Sequence, residues 1–294
     1  MNSLQKLLLL SLTLAGSTTV LAAEQIDAKT EAKTEAKTEI AAESEKAIDP
    51  ADITRVVTAL KVSAGTNSNN NDLAIETELK IGGSFNKDNN FLTMISATVA
   101  EKDGAESKGG DEEDMDVREL RARWFQVFAT GVDWLPKAGY SLDYIDQSND
   151  DSTSVDNIIA AGVIVKVPVL SNWVMYPNIA AVTANVNDAA KSSGMDDGVG
   201  VQLNVFNAIY LSKAGSYMMI NPQYSYIDFD NVVTQDLLVE TTFGTPITDN
   251  KKWWFSATYK ETFSDVNPEN GKSKDSFKAN DDKRQFRVGV TYYF

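Results

Sequence analysis

Apolar and polar residues alternate at every second position over most of the chain, from about residue 53 to the end. This period places apolar side chains on one face of a β-strand and polar side chains on the other. Most of the resulting segments run to ten residues or more, close to the ~9–11 that a tilted transmembrane strand requires. The pattern predicts twelve strands, at 53–65, 72–85, 91–101, 116–129, 138–147, 156–168, 173–186, 198–212, 216–228, 232–245, 252–264 and 284–294.

The connections between these segments fall into two alternating classes. The short class comprises 86–90, 130–137, 169–172, 213–215 and 246–251. The other class is mostly longer and comprises 66–71, 102–115, 148–155, 187–197, 229–231 and 265–283, with 229–231 as the exception in length. Short turns at one end and longer loops at the other are typical of a transmembrane β-barrel. Aromatic residues flank the short turns, as expected for one membrane interface: Phe85, Phe91, Phe128, Trp134, Tyr140, Trp173, Tyr210, Tyr217, Phe243, Trp253 and Trp254.

The last strand has one apolar face that ends on the terminal residue and consists of Phe286, Val288, Val290, Tyr292 and Phe294. A terminal amphipathic strand closing on Phe resembles the assembly signal of Gram-negative outer-membrane β-barrels. The resemblance implies that Tyr292 and Phe294 are read by the barrel-assembly machinery, and that the barrel contacts outer-membrane lipid and lipopolysaccharide. The fold expected is all-β, a single antiparallel transmembrane β-barrel of about 12 strands (10 to 14). A soluble β-sandwich, which also alternates, is the alternative.

The N-terminus predicts export and a separate tail. Lys6 precedes an apolar run at 7–14, and small residues follow up to Ala22 and Ala23, which is the pattern of a cleaved secretory signal peptide. We therefore predict three regions: a signal peptide at 1–22, a low-complexity periplasmic tail at 23–52 and a barrel at 53–294. The tail repeats Ala-Lys-Thr-Glu three times and has no apolar face. It is expected to be a solvated spacer, with a plug for the pore or an arm to the cell wall as alternatives.

Composition removes several functions. The formal net charge of −15 argues against nucleic acid as a partner, because phosphates would repel it. The chain has no cysteine and no histidine, which excludes Ser-His and Cys-His mechanisms and the commonest metal ligands. Known barrel enzymes that hydrolyse lipid esters have a Ser-His arrangement, and this sequence has no histidine to match it. The acidic stretch 101–116 does not match the spacing of a Ca²⁺-binding loop. We expect no enzymatic activity, no metal and no cofactor.

Phasing the strands with apolar residues toward lipid predicts which charges face the lumen, since a charge on the lipid face costs a few kcal/mol near the bilayer midplane. Strands three and seven are apolar on both faces and cannot be phased. The predicted pore-lining residues are Arg55, Lys61, Glu76, Glu78, Lys80, Glu119, Arg121, Arg123, Asp236, Glu240, Lys260 and Arg287. These groups either form an ion-pair network that fills the lumen or line a wet channel.

Strand count and inward arginines and lysines more narrowly resemble the small monomeric twelve-stranded porins of the oligosaccharide-channel type. The resemblance implies a monomeric channel in the outer membrane, reached through the periplasm, for passive diffusion of small hydrophilic solutes. The basic residues favour anions, whereas inward acids and acidic loops oppose them, so the sign of the selectivity stays open. The alternative is a non-conducting structural or surface-binding barrel. A third interpretation, the translocation barrel of an autotransporter, also resembles a twelve-stranded form. It is disfavoured because only the thirty or so residues at 23–52 lie between the predicted signal peptide and the barrel, too few for a passenger domain.

Overall fold

The computed structural model describes residues 48–67, 73–101, 115–150, 153–268 and 277–294. The signal peptide predicted at 1–22, most of the predicted tail at 23–52 and nearly all of the acidic loop lie outside these residues. None of the helices in the described part is long and apolar enough to cross a membrane.

Twelve antiparallel strands form one closed barrel, in which each strand pairs with its neighbours in sequence and β1 pairs with β12. The strands are β1 (Thr58–Asn67), β2 (Leu73–Asn86), β3 (Asn89–Glu101), β4 (Met115–Val132), β5 (Leu135–Asp146), β6 (Val155–Leu170), β7 (Trp173–Val186), β8 (Gly198–Tyr210), β9 (Tyr217–Asp228), β10 (Val232–Pro246), β11 (Trp253–Pro268) and β12 (Phe277–Tyr293). One short helix, α1 (Asp188–Ser192), lies between β7 and β8. The predicted fold class and strand number are confirmed.

Side-chain alternation divides the barrel into an apolar exterior and a largely polar interior. In an antiparallel pair, residues directly opposite each other face the same side. Leu60 lies opposite both Tyr292 and Leu79, and this row faces outward. The neighbouring row brings Lys61 opposite Glu78 on the inside. Exposed apolar side chains on the outer rows include Val62, Ile95, Ile179, Leu203 and Val290.

Three expectations need correction. The first strand begins at Thr58 rather than at residue 53, so Arg55 precedes the barrel wall instead of belonging to it. Tyr217 and Trp254, expected at the lipid interface, are buried inside the barrel at the short-turn end. Tyr210 lies directly opposite Tyr217 and shares its inward row. One feature accounts for all of these differences: the residues just before β1 leave the barrel wall and lie inside this end of the lumen. Tyr210, Tyr217 and Trp254 turn inward there and face this stretch of chain.

The apolar inner face of β7, which prevented its phasing, also has a structural cause. Val182, Val186, Ile227 and Phe229 form a buried cluster with Ala190 of α1. The side chain of Asn187 accepts a hydrogen bond from the backbone N–H of Ala190 (2.8 Å) and caps the helix. Loop residues therefore cover an apolar sector of the outer end of the lumen.

A charge placed on the exterior tests which face meets lipid. Leu203→Arg lies near the middle of β8 and is expected to lower the free energy of unfolding in lipid vesicles by roughly 2–4 kcal/mol. Val199→Arg, near the outer end of the same strand, is the matched control and should cost at most about 1 kcal/mol. Denaturant titrations of both variants supply the comparison. Equal, small losses would contradict a lipid-facing exterior.

Candidate functional site: the barrel lumen

The lumen encloses a cavity of about 160 Å³ lined by residues of all twelve strands. Among the described residues, eleven charged side chains line it. Six are basic, namely Lys61, Lys80, Arg121, Arg123, Lys260 and Arg287. Five are carboxylates, namely Glu76, Glu78, Glu119, Asp143 and Glu240. The two signs nearly balance.

Glu76 is the centre of one group of ion pairs. One of its carboxylate oxygens accepts from the Lys61 ammonium (3.3 Å) and the other from the Arg287 guanidinium. Beside it, the Lys80 ammonium lies 3.5 Å from Glu78. Three neighbouring strands, β12, β1 and β2, supply these groups, so the pairs join the strands on either side of the barrel closure.

A second group lies on β4 and β5. Arg121 makes a bidentate contact with Asp143, in which its Nε donates to Oδ1 at 2.9 Å. Asp143 stands directly opposite Arg123 in the strand register, yet its carboxylate pairs with Arg121 instead. Arg123 is therefore the one cavity-lining guanidinium without an ion pair among the described residues. On the next sector, Lys260 pairs with Glu240 across β10 and β11 (3.1 Å).

The opposite wall, from β6 to β9, carries neutral amides instead of charges. Asn204 Nδ2 donates to Asn178 Oδ1 (2.8 Å), and Gln202 Nε2 donates to Asn204 Oδ1 (3.2 Å). Asn178 Nδ2 donates in turn to Ser141 Oγ (2.6 Å). All three amides are buried. The lumen thus offers an ionic wall facing a wall of hydrogen-bonding groups.

Residues 49–57, which we call the crossing segment, run inside the barrel at the short-turn end. Tyr210 of β8 donates to Asp49 (2.9 Å), and Lys166 of β6 pairs with Asp52 (2.5 Å). The Lys137 ammonium of β5 donates to the Thr54 carbonyl (3.0 Å). The segment then reaches the other side, where the Gly82 amide donates to the carbonyl of Val57 (2.7 Å).

Two acids of the crossing segment titrate differently. Burial would raise the pKa of Asp52, but the Lys166 ammonium and hydrogen bonds from Lys166 and Thr54 lower it to about 2. Burial raises the pKa of Asp49, and the neighbouring charge of Asp52 raises it further. Asp52 therefore stays ionised at neutral pH. Its contribution to holding the segment is complete above the ordinary pKa of 3.8 and is lost as the pH falls through about 2.

The structure places ten of the twelve predicted pore-lining residues around the cavity; the exceptions are Arg55 and Asp236. Arg55 lies on the crossing segment, 3.5 Å from Asp52 and 3.7 Å from Asp49. Asp236 shares the inward row of Glu240 but lies closer to the outer end of β10. Sequence reasoning missed Asp143, the amide wall and the crossing segment. The inward parity of Asp143 could have been read from outward Tyr140, Leu142 and Tyr144.

A closed barrel of twelve long strands with an apolar exterior and a polar interior is the fold of Gram-negative outer-membrane β-barrels. No family model and no curated protein matches the sequence. Solved structures do match. An outer-membrane channel from Pseudomonas putida F1 has a TM-score of 0.53 at 9% identity, covering 84% of this chain and 100% of that one.

Outer membrane phospholipase A from Escherichia coli has a TM-score of 0.50 at 14% identity, covering 86% of this chain and 96% of that one. The NanC porin has a TM-score of 0.48 at 9% identity, covering 79% and 98%. At these identities the likeness concerns the fold, which a channel and an enzyme share.

The Arg121–Asp143 contact provides a test of the ionic wall. Asp143→Asn or Arg121→Gln leaves a partly buried charge without its partner, so each is expected to lower the free energy of unfolding by about 1–3 kcal/mol. The double variant should lose less than the sum, by roughly 1–2 kcal/mol, because neither charge is then left alone.

Lys191→Gln is the control, since Lys191 and Asp197 form an exposed pair and its loss should cost less than about 0.5 kcal/mol. Denaturant titrations of the folded barrel give all four values. Additive losses at positions 121 and 143 would show that the two groups do not interact.

Proposed function

We propose that this protein is a porin-like channel of the Gram-negative outer membrane that lets small hydrophilic solutes diffuse passively. The observation that carries the proposal is the polar cavity inside a closed barrel whose exterior is apolar. An interior filled only to hold the barrel together needs no open space between charged and amide walls. Twelve strands are expected to leave a narrow lumen, since about eight already leave room for side chains alone.

The pairing of the charges supports a particular class of solute. Most cavity-lining cations are neutralised by carboxylates 2.9–3.5 Å away or closer, so the field available to a strongly charged solute is small. The amide wall offers donors and acceptors to hydroxyl and carbonyl groups. Uncharged or weakly anionic polar molecules fit this lumen, in which the six cations exceed the five carboxylates by one.

The same fold supports the proposed location and assembly. The barrel closes within one chain, so a pore needs no second copy and a monomer suffices. Phe294 is exposed, and the outward-facing Tyr292 packs on Trp253 with ring centroids 4.8 Å apart. These residues are where the assembly machinery would read the last strand, and lipid and lipopolysaccharide would surround the apolar rows.

A non-conducting structural or surface-binding barrel is the second candidate. Two observations favour it. Ion pairs join neighbouring strands across the lumen surface, and the crossing segment occupies one end of the lumen. Planar-bilayer recordings of the refolded chain separate the two candidates. We expect discrete current steps. The channel would be refuted if a folded, heat-modifiable barrel passed no current, both as the native chain and as variants in which the crossing segment has lost its contacts. The non-conducting barrel would then be the better account.

Arg123 should set the ion selectivity of the channel. Arg123→Gln removes the cavity-lining guanidinium that has no ion pair among the described residues, and is expected to shift the reversal potential in a salt gradient toward cations. At an effective dielectric constant of about 40, between those of bulk water and a protein surface, a charge acting over about 8 Å is worth about 1 kcal/mol, or roughly fivefold in the permeability ratio. The change should shrink in 1 M salt, where the Debye length is about 3 Å.

The matched control is Lys213→Gln, which removes one positive charge from an exposed turn and should leave the reversal potential in place. A shift of equal size in both variants would show that surface charge, rather than the lumen, determines selectivity.

A further inference from the structure

The crossing segment traverses the lumen from one side to the other. Its first polar contact is with β8 and its last with β2, which flanks β1. In a ring of twelve strands, β8 lies nearly opposite β1 and β2. Between these points the segment touches β6 through Asp52 and β5 through Thr54. Chain therefore spans the opening at the short-turn end.

Burial shows that the segment fills this opening. Ala51 is 0% exposed, Thr54 3% and Asp52 5%. Pro50 and Ile53 line the cavity above, together with Tyr217 and Trp254 from the barrel wall. The segment is thus the floor of the same cavity through which solutes would pass.

The attachment is of a kind that can be released. The strands are joined by continuous backbone ladders, whereas the described backbone hydrogen bonds join the crossing segment to the wall at one place, Gly82 to Val57. A Cβ at Gly82 would lie 2.5 Å from the Val57 nitrogen, so the close approach needs a glycine. The other described polar contacts with the wall come from side chains, and the Asp52–Lys166 contact among them joins two full charges (2.5 Å).

We infer that the crossing segment is a tethered plug that closes the periplasmic end of the channel and opens it when the Asp52–Lys166 contact breaks. The inference rests on the proposed channel function. The closed form is the one observed: a turn stabilised by Asp52, which accepts hydrogen bonds from the amide and hydroxyl of Thr54 (2.9 and 2.6 Å), presents Asp52 to Lys166 on the far wall. Losing the contact frees the turn while the strand ladder stays intact.

Charge reversal in the full-length chain tests the plug. Asp52→Lys and Lys166→Glu each replace an attraction by a repulsion, so each should raise the fraction of time that the channel is open in planar bilayers by roughly five- to thirtyfold. The double variant, Asp52→Lys with Lys166→Glu, restores opposite charges and should return the open fraction toward that of the native chain. Lys213→Glu is the control. It makes the same charge change as Lys166→Glu, but in an exposed turn at the same end of the barrel, and should leave the open fraction unchanged.

A thiol reports docking independently of current. The chain has no cysteine, so Ala51→Cys introduces a single thiol at a fully buried position of the plug. A maleimide added to the folded protein should label it slowly in the otherwise native chain, quickly with either single reversal, and slowly again with the double variant. Ser212→Cys, in an exposed turn, gives the rate for an accessible thiol.

The outcomes separate the plug from the channel. Labelling at position 51 as fast as at 212 in the native background would show that the segment does not dock and would overturn the plug. Faster labelling on charge reversal without any change in an existing current would also overturn it, while leaving the channel in place. Faster labelling with no current from any folded variant would refute the channel, and with it the gating role.

Discussion

The structure depends on one constraint, that the backbone hydrogen bonds of its strands must be completed within the chain. A sheet edge in a bilayer would leave N–H and C=O groups without partners, each at a cost of several kcal/mol. Pairing of β1 with β12 over nine residue pairs, from Ala59–Tyr293 to Asn67–Gln285, removes the edge. Closure then forces one parity of every strand inward, whatever its chemistry, and this decides where the charges go.

Inward charges on a narrow barrel must be compensated where they stand. The paired groups are largely buried against one another: the Arg287 side chain is 8% exposed and that of Glu76 14%. Removing one partner of such a pair lowers the free energy of unfolding by more than the pair itself contributes. The remaining buried charge has lost its hydration and has no opposite charge to compensate for it. The arrangement around Glu76 meets this requirement by sharing one carboxylate between Lys61 and Arg287. Because most of the cavity cations are paired with carboxylates in this way, the net electric field in the cavity is weak. The cations therefore do not form a continuous row of unpaired positive charges along the lumen.

Local alternation allowed much of the barrel to be predicted, because period two is set by the strand itself. It identified twelve strands, the order of short turns and loops, and the inward parity of β2, β4, β10 and β12. It failed where tertiary contacts override the local rule. The inner face of β7 is apolar because α1 and Phe229 cover it. Tyr217 and Trp254 resemble interface aromatics in sequence but face the crossing segment. Which carboxylate Arg121 selects depends on side-chain reach, since the register alone would have paired Asp143 with Arg123.

The crossing segment shows the limit of pattern reading most clearly. Residues 53–57 extend the alternation of β1 by a few positions, so they read as strand, while Asp49 and Asp52 read as the solvated end of a charged tail. Neither reading considers that the interior of a closed barrel also has room for chain. Closure of the ring creates that space, and Lys137, Lys166 and Tyr210 line it with donors. An acidic turn next to β1 in sequence is held close to these donors by its tether, so the entropy lost on docking is small. Occupation of the lumen by this segment therefore follows from barrel closure and from the donors on the far wall.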